Sequence, residues 1–161
     1  MLRRLDPDTV RRRDAARALE AFVGDDKPRR KPRVDLAQKR EEIDRLMRSD
    51  PKGKGEAWRA AKPSTFVALY ARWHEQLYRV APGELRGRAL AAATVQAARV
   101  LRDEFDGDGR RLFRFVAWAF ARERSRQSWR RGADSGRLTW QRLFASPGTV
   151  TDFRVAVASR A

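Results

Sequence analysis

The chain has 161 residues, 37 Lys and Arg against 21 Asp and Glu, a formal net charge of +16 and a pI near 11.5. Such a balance attracts polyanions, nucleic acid first and an anionic membrane surface second. The absence of cysteine excludes disulfides and thiolate metal sites, and a single histidine, His74, excludes a histidine-cluster metal site.

Every lysine lies at or before Lys62, and arginine supplies the positive charge beyond it. Arginine forks phosphates and stacks on bases, which fits nucleic-acid contact. A GC-rich genome would also enrich Arg and Ala, but it does not account for the net charge. The first residues, MLRRLDPDTVRRR, lack the apolar stretch of a secretory signal. No segment approaches the roughly 20 apolar residues of a membrane span. A soluble, cytoplasmic protein with no membrane partner is expected.

Residues 1–63 hold 19 basic and 12 acidic side chains and few large apolar ones. Asp6 and Pro7 read as an N-cap and first helical position, with Gly24 as a stop, so a helix is expected over about Pro7 to Val23. Its apolar stripe, Val10, Ala18, Leu19 and Phe22, is thin. Asp25 to Arg33 is a basic linker broken by prolines, either a tether to phosphates or a solvated spacer. A second charged helix is expected from about Asp35 to Arg48, with Leu36, Ile43, Leu46 and Met47. Ser49 to Ser64 reads as a loop. The whole stretch reads as a basic, partly helical arm that orders on a partner.

Residues 64–161 carry most of the core formers. Ser64 or Thr65 can cap a helix to about Val80, with Phe66, Leu69, Tyr70, Trp73, Leu77 and Val80 on one face. Ala81-Pro82-Gly83 breaks it. A helix from Glu84 to about Phe105 buries Ala89, Ala93, Ala97, Val100 and Leu101, and aligns Arg88, Arg99 and Arg102 on its other side. The turn Asp106 to Gly109 leads to a third helix whose core stripe is Leu112, Phe113, Phe115, Val116, Ala119 and Phe120. Gly132 to Gly136 ends the basic run. A short helix around Leu138 to Phe144 follows. Ser146-Pro147 then opens a last helix with Val150, Phe153 and Val157 inward. No segment alternates with period two, so the expected class is all-α: a compact domain of three main and two short helices over residues 64–161, preceded by the basic arm of residues 1–63.

The outer side of the third helix, Arg111, Arg114, Trp118, Arg122, Ser125 and Trp129, mixes guanidinium with indole. That mixture suits a phosphate backbone and exposed bases. Trp118 and Trp140 fit a second core layer beneath the last helices better than a stacking surface. Trp129, flanked by Gln127, Ser128, Arg130 and Arg131, fits either role. The expected nucleic-acid contacts are Arg88, Arg99, Arg102, Arg111, Arg114, Arg122, Arg124, Arg126, Trp129, Arg130, Arg131, Arg137 and Arg142. Arg122, Arg124, Arg126, Arg130, Arg131, Arg137 and Arg142 face only Glu123 and Asp134 locally, an imbalance typical of a contact surface.

Catalytic signatures are missing. The run Asp103 to Gly109 glances at a calcium loop, but aligning Asp108-Gly109 with its fifth and sixth positions puts Phe115 where the bidentate Glu belongs. His74 has no Ser or Cys partner motif, and no phosphate-binding loop, dinucleotide fingerprint or zinc-protease motif occurs. No catalytic residue, metal or cofactor is expected.

The order of aromatic anchors and turns over about Ser64 to Arg160 resembles a helical module of phage and plasmid replication-accessory, DNA-binding proteins. The matching landmarks are FVALYARWHEQLYRV, a small-residue helix, LFRFVAWAFARERSRQSW, the glycine-rich turn, GRLTWQRLFASP and VTDFR. The resemblance implies DNA binding by a small helical domain in a mobile-element setting. It carries no functional residue across, and the N-terminal arm lies outside it. The reading is therefore a non-catalytic DNA- or RNA-binding protein or subunit that contacts mostly backbone, with other nucleoprotein subunits as further partners. Two alternatives stand beside it: a small helical subunit of a CRISPR-type ribonucleoprotein effector, and a protein-interaction module docking on an acidic host protein.

Overall fold

The computed structural model describes residues 36–83, 85–129 and 136–159, with residues 127–129 by backbone only. The expected helix at Pro7 to Val23 and the linker at Asp25 to Arg33 lie outside these residues. Among the described residues six α-helices form in chain order: α1 (Leu36–Ser49), α2 (Glu56–Arg59), α3 (Pro63–Tyr78), α4 (Arg88–Phe105), α5 (Gly109–Trp129) and α6 (Pro147–Ala158). A π-helical turn, Gln141–Ala145, precedes α6. No strand occurs among the described residues, and the chain is all-α.

Three helices carry the core. Leu112, Phe113, Phe115, Val116, Ala119 and Phe120 of α5 are buried, as their 3.6-residue spacing requires. They meet Phe66, Leu69 and Tyr70 of α3 and Ala93, Ala97 and Val100 of α4. The small side chains of α4 let the helix approach its neighbours closely. Two apolar positions differ from expectation. Val80 and Val157 are exposed, because α3 ends at Tyr78 and α6 turns only Val150 and Phe153 toward the core.

Helix ends explain how the elements are placed. Pro63 sits in the first turn of α3, where its missing N–H costs nothing, and Lys62 rather than Ser64 or Thr65 is the N-cap. The Thr65 hydroxyl instead donates to the Glu42 carboxylate at 2.8 Å and ties α3 to α1. Burial pushes the Glu42 carboxyl up, but bonds from Lys39 and Thr65 outweigh it and hold the group below its usual range. α3 stops at Arg79, which adopts a left-handed φ of 58°. α4 begins at Arg88, behind Gly87 with φ 52°, four residues later than the pattern predicts.

Between α4 and α5, Asp106 and Gly107 both take positive φ, and the Gly107 N–H donates to the Leu101 carbonyl at 2.8 Å. This closure reverses the chain within three residues. Asp108 then caps α5. Its carboxylate accepts the Arg110 backbone N–H at 2.9 Å and the Arg110 guanidinium at 2.8 Å. The acidic turn thus caps α5.

The expected boundary at residue 63 is corrected. The compact unit that holds these helices starts near residue 34. Ile43 of α1 and Trp58 of α2 are fully buried. Trp58 fills the space between Phe66 and Phe113, with ring centroids 6.1 and 4.5 Å away, and its indole N–H donates to the Asp50 carbonyl at 2.9 Å. Residues 36–62 have few large apolar side chains, but two of them are central.

Candidate nucleic-acid interface

α3 and α5 end on the same side of the molecule, where the two tyrosines of the chain organise the site. Tyr70, His74 and Tyr78 fall on one stripe of α3, at i, i+4 and i+8. The Tyr70 hydroxyl donates to the Leu138 carbonyl at 2.8 Å, and the Leu138 N–H donates to the Tyr78 hydroxyl oxygen at 2.8 Å. Both backbone groups of Leu138 are therefore held by α3. His74 is buried between the tyrosines and bonds the Val80 carbonyl through Nδ1 at 3.0 Å. It is a structural histidine that fastens the chain after α3.

Tyr78 Oη also lies 3.4 Å from Glu123 Oε2. Glu123 is only 7% exposed and is paired with Arg126 at 3.3 Å. Burial and the Glu123 carboxylate push the Tyr78 hydroxyl above its usual range, against the opposing pull of the Leu138 N–H and the Arg142 charge. Tyr78 thus stays neutral at physiological pH. Around this hub stand Arg79, next to Tyr78, Arg126, next to Glu123 in space, and Arg137 and Arg142 on the segment that Leu138 anchors. Arg142 reaches back to the Gly136 carbonyl at 3.5 Å. Arg124 is exposed beside Glu123, and Arg88 is exposed at the same end of the α4–α5 hairpin. Glu123 is taken up by Arg126, Glu75 by Arg40 at 2.6 Å on the α1 side of α3, and Asp152 by Arg122 at 2.6 Å.

The opposite end of the hairpin has another character. Arg99 and Arg102 both pair with Asp103, at 3.6 and 2.6 Å, and Arg111 pairs with Asp106 at 2.8 Å. Glu104 and Asp108 lie in the same turn and bind Arg154 and Arg110. Arg99, Arg102 and Arg111, expected as contacts, therefore sit among the carboxylates that the turn brings to this end of both helices. Their guanidiniums lie in local ion pairs and contribute little long-range field.

α6 covers part of the outer side of α5. Trp118 is half-buried against Phe115 and Phe153, and Arg122 lies over its ring while bonding Asp152 at 2.6 Å. Arg122 is thus partly spent inside the protein. Trp140 is buried, as a second core layer requires. Arg114 is exposed one turn into α5 with no ion-pair partner among the described residues. The side chain of Trp129, and Arg130 and Arg131, lie outside the described residues.

Sequence reasoning missed Arg79. The signal that could have found it is the Tyr70–His74–Tyr78 stripe, which marks where the chain would be clamped and which arginines would surround the clamp. It also missed Arg45, Arg48, Lys52 and Lys54, exposed on α1 and the following loop with no ion-pair partner among the described residues.

No group of three or more His, Cys, Asp or Glu is placed to hold a metal among the described residues. No helix among them is long and apolar enough to cross a membrane. The fold defines an all-α protein whose surface is rich in exposed arginine. Comparison with protein-family models, with curated proteins and with solved structures finds no match for this chain.

Proposed function

We propose that the chain is a non-catalytic nucleic-acid-binding protein or subunit, whose arginines at the shared C-terminal end of α3 and α5 grip phosphates. The observation that carries the reading is the charge imbalance there. Arg79, Arg126, Arg137 and Arg142 stand around the contact of Tyr78 with one almost buried carboxylate, Glu123, with exposed Arg88 and Arg124 at the same ends of their helices, while the carboxylates Asp103 to Asp108 pair with arginines at the other end of the α4–α5 hairpin. Exposed arginines that outnumber the carboxylates beside them favour a polyanion that brings its own charge. The Tyr70–Leu138–Tyr78 clamp supports preorganisation, since the segment carrying Arg137 and Arg142 is held in place before any ligand arrives.

Contact with the backbone rather than with base edges is the mode these residues fit, because no helix presents an Asn- and Gln-rich face. The setting proposed is the cytoplasm, in a phage, plasmid or other mobile element, with further nucleoprotein subunits as partners. The test is fluorescence anisotropy of labelled single- and double-stranded DNA and RNA across a salt series. Binding that weakens steeply with salt is expected, with a log–log slope near −0.9 per phosphate neutralised on a duplex. Absence of binding at low salt, or a complex with an acidic protein that excess DNA leaves intact, overturns the reading.

A further inference from the structure

α5 and α6 leave an open groove of about 790 Å3 between them. Its walls are mainly small and apolar, built from Ala117 and Ala121 on α5 and Val155 on α6. Val155 is 64% exposed, an apolar side chain left facing solvent. Trp118 and Arg122 also line it. The guanidinium lies 5.3 Å from the indole centroid and is fixed by the 2.6 Å bond to Asp152. Because Arg122 and Asp152 cancel, the groove contributes no net charge of its own and does not select a phosphate. Its walls suit a flat, neutral group with an apolar face that can lie against a tethered guanidinium and indole.

Charge returns at the margins of this surface. Arg114 and Arg124 lie on one stripe of α5 with Ala117 and Ala121 between them, ten residues or about 15 Å apart. Both are exposed and have no ion-pair partner among the described residues. The alanines keep the stripe low between two cations. Ser125 lines the margin of the groove nearer the C-terminal end of α5.

We propose that this groove takes an unpaired base of a single-stranded nucleic acid, packed against the Trp118–Arg122 pair, with phosphates of the strand to either side of it on Arg114 and Arg124. Guanidinium planes and aromatic faces are the standard platforms for bases splayed from a strand. A duplex cannot use the groove, since its bases are stacked inside and its surface is charged backbone. The proposal rests on the nucleic-acid reading above and narrows its ligand to single strands.

The experiment uses the full chain and anisotropy with a labelled oligothymidylate and a duplex of equal length, at low salt. Ala121→Leu fills the groove from an exposed helical position without changing charge. Val155→Glu places a carboxylate on its other wall and serves as the second variant should the first fold poorly. The wild type is expected to prefer the single strand. Both variants should weaken single-strand binding about tenfold or more, as loss of a stacked base does, and leave duplex binding within about twofold. Equal wild-type affinity for the two polymers with no effect of either variant overturns the groove assignment and leaves the arginine end standing. Binding of neither polymer by the wild type removes both. A change of oligomeric state in Ala121→Leu, read by sedimentation, overturns the assignment by giving the groove to a second copy of the chain.

Discussion

Leu138 donates its backbone N–H to the hydroxyl oxygen of Tyr78 across sixty residues of sequence, at 2.8 Å. The bond decides where the segment after α5 runs, and hence where Arg137 and Arg142 stand. Replacing Tyr78 by Phe leaves the Leu138 N–H without its acceptor and Glu123 without its neighbour. An unsatisfied buried group costs about 1–3 kcal/mol. Urea denaturation of Tyr78→Phe should show a loss in that range. Nucleic-acid affinity should fall as well, although no cation is removed. A variant with wild-type stability and affinity would show that the clamp positions nothing.

Asp108 caps α5, and the first cause of its low proton affinity is the Arg110 guanidinium, which holds the carboxyl at about 2, below its ordinary 3.8. A depressed carboxyl stabilises the fold fully above its unfolded value. The Asp108 contribution is therefore complete above about pH 4 and is lost as the pH falls toward 2. Asp108→Ala should cost about 1 kcal/mol at neutral pH, as loss of a helix cap does. The difference from wild type should shrink below pH 4 in thermal melts. A pH-independent difference would assign the cost to packing instead.

Gly109 opens α5 directly beneath α2. A Cβ there would come within 2.1 Å of the Trp58 carbonyl oxygen. Gly109→Ala should destabilise the protein by about 1–3 kcal/mol, despite alanine's better helix propensity, because backbone must shift to make room. Denaturant midpoints measure it. A stabilised variant would mean that α2 is loosely held and that Trp58 is not a core residue.

How much of this was legible in the sequence varies by element. The α5 stripe from Leu112 to Phe120 is long and strongly periodic, and its burial follows from spacing alone. Trp58 was hidden, because a single aromatic in a glycine- and lysine-rich stretch has no period. Its role depends on Phe66 and Phe113 arriving from elsewhere. For the same reason residues 36–62 read as an arm. The arginines were visible as a set but not as two groups. Arg99, Arg102 and Arg111 belong with the carboxylates of the turn, while Arg126, Arg137 and Arg142 surround the Tyr78 hub. Only the antiparallel path of α4 and α5 separates them.

That separation gives the most direct test of the account. Two triple variants remove the same formal charge: Arg126, Arg137 and Arg142→Ala at one end, and Arg99, Arg102 and Arg111→Ala at the other. Nucleic-acid binding should be measured for both by anisotropy across a salt series. The first should lose at least tenfold in affinity with a shallower salt slope, and the second should stay within about threefold of wild type. Equal losses would show that total charge binds the polymer and the arginine end does not. A larger loss in the second would place the site at the acidic turn and contradict the account.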